Sequence, residues 1–227
     1  MLELTAHRST VVEQLAQKLA DGHAEHTTRV AVDGVTASGK TTLAGEIGAS
    51  VAARGRPVIR LSMDGFHHPR SHRYRQGRGS ADGYYEDAYD FASFATAVLC
   101  PLGPGGSGYY RPAIIDLATD TAVDGAPVAA PRDAILIVDG SFLQRDELRD
   151  EWDVRIFVAT SFENAAARGV ARDAALLGGR DQAADAFATR YHAAGRRYLT
   201  EVDPRGRADL IFVNDDLSHP TLHWSAD

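Results

Sequence analysis

The stretch Gly34-Val35-Thr36-Ala37-Ser38-Gly39-Lys40-Thr41 constrains this chain more than any other. It fits G-x-x-x-x-G-K-[ST], a turn that joins a strand to a helix and closes its backbone N–H groups around phosphate. The flanks have the matching character. Arg29-Val30-Ala31-Val32-Asp33 is short and mostly apolar and reads as a buried strand, and Thr42-Leu43-Ala44-Gly45-Glu46-Ile47 reads as the opening of a helix. Gly34 and Gly39 permit backbone conformations that a Cβ would block. The helix adds its unpaired N-terminal N–H groups and its dipole. Lys40 supplies a positive charge for the β- and γ-phosphates, and the Thr41 hydroxyl is placed to ligate Mg²⁺. Ala37, Ser38 and Thr42 complete the expected nucleotide cradle, although Thr42 reads equally as a helix-opening hydroxyl.

The chain has 227 residues, 44% of them hydrophobic, enough for one sizeable core, so a single domain over 1–227 is expected. The net charge of −7 argues against capture of nucleic acid or an anionic membrane. No run of about 20 apolar residues is present to span a bilayer, and the first residues lack a signal-peptide pattern. A cytoplasmic protein is expected. The single cysteine, Cys100, follows Ala97-Val98-Leu99 and reads as a small buried residue rather than a nucleophile.

Residues Thr5 to Ala20 have the spacing of an amphipathic helix, with Gly22 as its stop. Val58 to Ser62 is a second strand that delivers Met63-Asp64-Gly65-Phe66-His67-His68. Ligands of an open parallel sheet lie beyond the carboxyl ends of its strands, so Asp64 belongs on the same edge as the glycine loop. There it can take a proton from a hydroxyl or hold Mg²⁺ through water; the alternative is a turn cap before Gly65. Residues 69–86 carry Arg70, Arg73, Arg75 and Arg78, then Tyr84 and Tyr85, and read as a long solvated rim. Asp90 caps a short helix reaching Leu99, and Pro101 to Pro112 is a glycine-rich connection into a β excursion. Tyr109 and Arg111 either line a pocket or pack under a loop.

Ala134-Ile135-Leu136-Ile137-Val138 is the strongest buried strand, and Asp139 at its tip fits a carboxylate that orients Mg²⁺. Leu143 to Arg149 reads as a short polar helix, and Val154 to Val158 as a strand. Ser161 caps a helix carrying Arg168 and Arg172 at i, i+4, on one face. Gly178-Gly179-Arg180-Asp181 breaks it before a second helix, about 182–199. Two arginine-lined helices on such a hinge form a lid over about 168–200. Ala208 to Asp215 is a final strand, and the tail beyond carries no signal. Strands alternating with helices make the chain α/β with a largely parallel sheet.

In this order the motifs resemble the uridine kinase, pantothenate kinase and phosphoribulokinase group of P-loop kinases. The resemblance runs from Val30 to Asp216 through the glycine loop, Met63-Asp64-Gly65-Phe66, Val138-Asp139-Gly140, the run Arg168 to Asp173, Gly179-Arg180-Asp181 and Ala208-Asp209-Leu210-Ile211. It implies a P-loop NTPase fold with helices on both faces of the sheet and a helical lid. It also implies ATP (or GTP), Mg²⁺ and phosphorylation of a primary hydroxyl on a small molecule. Uridine or cytidine is the first expectation, and pantothenate, a sugar or another metabolite the alternative. Asp64 would be the base; Thr41, Asp139 and Asp64 would serve the metal; Arg168, Arg172 and Arg180 would be lid or phosphate residues. Phe66, His67, Tyr84, Tyr85, Tyr109 and Arg111 are the expected acceptor contacts. Related kinases often form homo-oligomers, so one is allowed here. There are departures: Gly65-Phe66-His67 stands where uridine kinases usually have Ser-Phe-Tyr, Asp139 where they usually have Glu, and Gly178 where the lid usually has a further arginine. The Asn-Lys-x-Asp sequence with which GTPases read guanine is absent, which argues against a nucleotide switch.

Overall fold

The computed structural model describes residues 5–22 and 24–225. Its centre is a six-stranded sheet of β1 (Thr28–Gly34), β2 (Val58–Ser62), β3 (Ile135–Asp139), β4 (Val154–Ala159), β5 (Leu210–Val213) and β6 (Thr221–Trp224). The spatial order is β2-β3-β1-β4-β5-β6. The first five strands are parallel, and β6 lies antiparallel on the outer edge of β5. The tail, which carried no signal in the sequence, therefore supplies the edge strand. β1 and β3 are buried at every position. A parallel strand covered on both faces must be apolar throughout, which is why these two read as continuous rather than alternating runs.

Each face of the sheet has its own core. On one side α1 (Ala6–Asp21) and α2 (Lys40–Ala53) pack Leu15, Leu19, Leu43 and Ile47 against Val30, Val32, Ile135 and Ile137. The intervening residues Ala31, Leu136 and Val138 face the other side, toward Phe66, Phe94, Phe142 and Tyr198. The period-two alternation of a strand divides the residues in this way. Thr5 caps α1 by accepting from Arg8 N, a contact worth about 1 kcal/mol.

The longer remaining helices are α3 (Ala81–Asp87), α4 (Phe162–Leu177), α5 (Arg180–Ala186) and α6 (His192–Val202), with a π-helical turn, Phe187–Tyr191, between the last two; a further helical segment runs over 91–102. Ser161 caps α4 through Asn164 N, and Gly178 ends it at φ 93°. The short strands of the β excursion form two two-stranded ribbons, 109–110 with 128–129 and 115–116 with 121–122.

Three expectations are corrected. Residues 69–86 are not an open rim: they hold a helical turn, Arg70–Arg73, and α3. Arg70 and Arg73 are fastened to Asp120, and Arg75 to Asp87, so carboxylates distant in sequence order the segment. Leu143 to Arg149 forms turns rather than a helix; Gln144 is held by tertiary partners, its backbone N donating to Tyr198 Oη and its Nε2 to Asp33. Cys100 is exposed. The π turn Ala95–Leu99 inserts an extra residue, Val98 and Leu99 take the buried positions, and Cys100 rotates outward.

Strand register decides what meets at the carboxyl edge. Asp139 pairs with Val32 on one side and with Ser62 on the other. The glycine loop leaves β1, the turn bearing Asp64 leaves β2, and Asp139 ends β3, all at one level.

Candidate active site

The loop backbone explains its glycines. A Cβ on Gly34, at φ 152°, would lie 2.7 Å from Val158 O and 2.8 Å from Ser38 Oγ, and one on Gly39, at φ 100°, would collide with the Asn214 amide. Ala37 itself takes a left-handed conformation, φ 65°. Such a non-glycine outlier persists only where its surroundings hold it. The hold comes from two strand tips: Asn214 Nδ2 donates to Ser38 O at 2.7 Å, and Thr160 Oγ1 donates to the same carbonyl at 3.1 Å. Asn214 is oriented by Arg8, which donates to its Oδ1 at 2.9 Å and pairs with Glu46. Arg8 was not singled out from the sequence, and Asn214 reads there only as a polar end of the final strand and as part of the closing motif of the resemblance, with no role given to it.

Lys40 is buried and reaches back across the loop to donate to Val35 O at 2.8 Å. Burial pushes its ammonium down to about 8, against the pull of Asp33, Asp139 and Asp64. Asp33, fully buried beneath the loop, accepts from Tyr198 Oη, from Gly34 N at 2.7 Å and from Gln144 Nε2 at 3.1 Å. Burial raises its pKa, the hydrogen bonds opposing. It ties α6 to the root of the loop.

Thr41 Oγ1 donates to Asp139 Oδ2 at 2.6 Å, while Arg60 donates to Asp139 Oδ1 at 2.7 Å. Gly48 in α2 makes room for the Arg60 stem, since a Cβ there would lie 3.1 Å from Arg60 Cδ. A hydroxyl beside a carboxylate is a hard oxygen pair that fits Mg²⁺, which commonly takes one or two carboxylates from protein and the rest from phosphate and water. Thr41 and Asp139 would hold that ion, which supplies charge neutralisation on the phosphates. Among the described residues no group of three His, Cys, Asp or Glu side chains forms a metal cage.

Asp64 sits across the cleft on a 3-10 turn, Met63–Phe66, whose start is capped by Ser62 Oγ. Its side chain is 70% exposed. The His67 ring, with Nε2 at 3.6 Å from Asp64 Oδ1, is the largest influence holding this carboxyl below its ordinary pKa, and the charges of Lys40 and Arg172 act in the same direction. Arg172 projects from α4 over the same cleft and is paired with Asp173 at 2.7 Å, the contact that chiefly raises its pKa, with the Asp64 charge adding to it.

The cleft thus gathers Ala37, Gly39, Lys40, Thr41, Thr42, Asp64, Asp139, Arg172 and the Tyr84 hydroxyl; Gly34 and the buried Ser38 form the frame of the loop behind it. Several expected residues stand elsewhere. Phe66 is fully buried and packs edge-on against Phe94, because the 3-10 turn directs it into the core. Tyr85 is buried against Phe142 beneath Arg145. His67 lies behind Asp64, outside the cleft wall. Tyr109, 58% exposed, and Arg111 lie on the β excursion, along a separate groove. Arg168 turns away from Arg172 and donates to Asn214 O at 2.9 Å and Asp215 O at 2.6 Å. Arg180 is exposed at the start of α5. Arg60, absent from the expectations, enters because β2 and β3 are neighbours in space and not in sequence.

No protein-family model and no curated protein matches the sequence. Solved structures do match the fold. A protein described as a possible uridine kinase from Bacillus stearothermophilus is 22% identical, with a TM-score of 0.69 over 89% of this chain and 97% of its own. One from a Silicibacter species, described provisionally as a fructose transport system kinase, is 24% identical, with a TM-score of 0.67 over 83% and 94%. D-glycerate 3-kinase from Cryptococcus neoformans is 12% identical, with a TM-score of 0.59 over 95% and 97%. At these identities the likeness is one of fold. Among the described residues no helix is long and apolar enough to cross a membrane.

Proposed function

We propose that this chain, whose fold is that of the P-loop kinases, transfers the γ-phosphoryl group of ATP to a hydroxyl of a small molecule. One observation carries the reading: Lys40, Arg172 and Asp64 line one cleft, and the charges of Lys40 and Arg172 both act on the Asp64 carboxylate. The loop N–H groups and Lys40 grip the β- and γ-phosphates. Asp64 accepts the acceptor's proton as its oxygen bonds to the γ-phosphorus and the bond to the β-phosphate oxygen breaks, releasing ADP. Arg172 offsets the charge spread over the transferring group.

A primary alcohol is the proposed acceptor group. A nucleoside, uridine or cytidine, is the first reading from sequence resemblance. The cleft wall favours a second one. Five hydroxyl-bearing residues, Thr36, Ser62, Tyr84, Tyr89 and Ser141, line it together with Asp64, and the hydroxyls of Thr36, Tyr84 and Tyr89 lie within 3.5 Å of one another in a chain. The rings of Tyr84 and Tyr89 are turned into the aromatic cluster around Phe142, so they offer hydroxyls and not stacking faces. Such a wall suits a sugar or another polyhydroxy compound better than a base. The Silicibacter and Cryptococcus structures carry sugar and hydroxy-acid kinase descriptions, in keeping with it.

The test is ADP release across nucleosides, pantothenate, sugars and glycerate. One acceptor raises the rate about a hundredfold or more over buffer, the lower end of what a positioned base supplies. Asp64→Asn removes that stimulation and leaves nucleotide binding. ATP hydrolysis that no acceptor stimulates, or full turnover in Asp64→Asn, overturns the reading.

A further inference from the structure

We propose that Arg190 and Arg78, which converge on the Tyr74 ring beside the cleft, bind an anionic group of the acceptor, a phosphate or a carboxylate, at the end away from its reacting hydroxyl. The proposal deepens the kinase reading of this cleft and rests on it. Two segments meet here. Arg190 lies on the π turn Phe187–Tyr191, and Tyr74 and Arg78 follow the helical turn Arg70–Arg73. Arg190 Cζ stands 5.0 Å from the centroid of the Tyr191 ring, 5.1 Å from that of Tyr84 and 5.5 Å from that of Tyr74. Arg78 Cζ also stands 5.5 Å from the Tyr74 ring. Burial pushes the Tyr74 phenol up, but a hydrogen bond with Arg73 and the charges of Arg190, Arg73 and Arg78 bring it below its ordinary pKa.

Two guanidinium groups flanking one ring repel each other, and the chain does not offset them. Arg73 is committed to Asp120 and Arg75 to Asp87, but among the described residues no carboxylate pairs with Arg78 or Arg190. The chain has carboxylates to spare, 31 acidic residues against 24 lysines and arginines. Arg190 Nε is buried without an acceptor, and among the described residues the one hydrogen bond of this side chain runs from Nη1 to Tyr191 Oη at 3.4 Å. A buried donor on a charged group is costly to leave unpaired. Stacking on tyrosines occupies the flat face of a guanidinium and leaves its edge donors for an oxyanion. The position fits the far end of an acceptor. The Tyr84 and Tyr191 rings meet edge-on at 5.1 Å, and Tyr84 lines the cleft with Asp64. Arg190 therefore lies one tyrosine ring beyond the hydroxyl-bearing wall.

The test loads the protein with Mg²⁺ and a non-hydrolysable ATP analogue, so that the glycine loop and Lys40 are occupied, and titrates glucose, gluconate and glucose 1-phosphate by calorimetry. All three keep a free primary hydroxyl; gluconate adds a carboxylate and glucose 1-phosphate a phosphate. The anionic probes are expected to bind about tenfold tighter than glucose, and the tighter of the two identifies the group. Arg190→Met and, separately, Arg78→Met each erase most of that gap and leave the affinity for glucose and for the ATP analogue in place. Arg78 is exposed, so its variant reports even where Arg190→Met does not fold. The proposal is overturned if the anionic probes bind no tighter than glucose, or if either folded variant keeps the gap. It is overturned as well if the loss falls on the ATP analogue, which makes these arginines nucleotide contacts. Binding needs no turnover, so this result stands apart from the ADP-release panel and Asp64→Asn, which decide the kinase reading separately.

Discussion

Arg60 and Asp139 lie on neighbouring strands, and the Arg60 guanidinium donates to Asp139 Oδ1 at 2.7 Å and to Ile137 O at 2.8 Å. Asp139 is only 4% exposed and shares its other oxygen with Thr41. A buried carboxylate stripped of its partner is costly. Arg60→Met is expected to destabilise the protein by about 1–3 kcal/mol in EDTA, a figure reduced for the partial exposure of Arg60. Millimolar Mg²⁺ restores part of the loss, because the ion replaces the missing positive charge. Thermal melts with and without Mg²⁺ check this; equal losses in both would show that Asp139 does not face the ion.

Lys40, pushed down to about 8 by burial, loses its charge within an accessible range. It is charged below pH 8 and neutral above it, so phosphate affinity falls as pH rises. The Kd of MgADP is expected to rise roughly tenfold between pH 7 and pH 9 by calorimetry, and Lys40→Met is expected to bind weakly with a flat profile. Unfolding is not the cause. With a depressed folded-state pKa the unfolded chain binds more protons over this window, so this group makes folding more favourable as pH climbs. A flat profile for the parent protein would refute the assignment.

Arg168 and Arg172 share a helix but face different partners. Arg172→Met is expected to lower kcat on the order of a hundredfold with little change in melting temperature. Arg168→Met removes donors to Asn214 O and Asp215 O and is expected to lower the melting temperature by about 2–4 °C. Steady-state kinetics and melts on both variants decide it. The opposite pattern would mean that the lid closes through Arg168.

Gly169 on α4 faces the Phe187 ring, and a Cβ at this position would overlap the ring atoms. Gly169→Ala is expected to cost about 1–3 kcal/mol in urea denaturation. The cost shrinks in a Phe187→Leu background, because the colliding ring atoms are gone. Purely additive losses would argue that the two residues are not in contact.

Much of this arrangement was legible before any coordinates. The continuous apolar runs of β1 and β3 announced strands covered on both faces, and the glycines, Lys40 and Thr41 announced the loop between strand and helix. Asp64 and Asp139 were legible because each ends a strand, and parallel strands place those ends on one edge. The acceptor side was not legible. Tyr84 and Tyr85 look alike in sequence, yet Tyr84 sends its hydroxyl to the cleft while Tyr85 packs beneath Arg145. Adjacent residues on a helix point about 100° apart, and only the packing of α3 decides which one meets the site.

By itself the sequence determined the elements and the nucleotide-binding loop, because these depend on backbone conformations and on burial patterns carried by neighbouring residues. The tertiary structure decided the partners. Arg60 finds Asp139, Arg8 finds Asn214, Arg70 and Arg73 find Asp120, and His67 turns behind Asp64 rather than toward an acceptor. An arginine or histidine carries a long or two-ended side chain that accepts any suitably placed oxygen. Which oxygen that is depends on strand order and loop paths that bring residues up to 213 positions apart into contact.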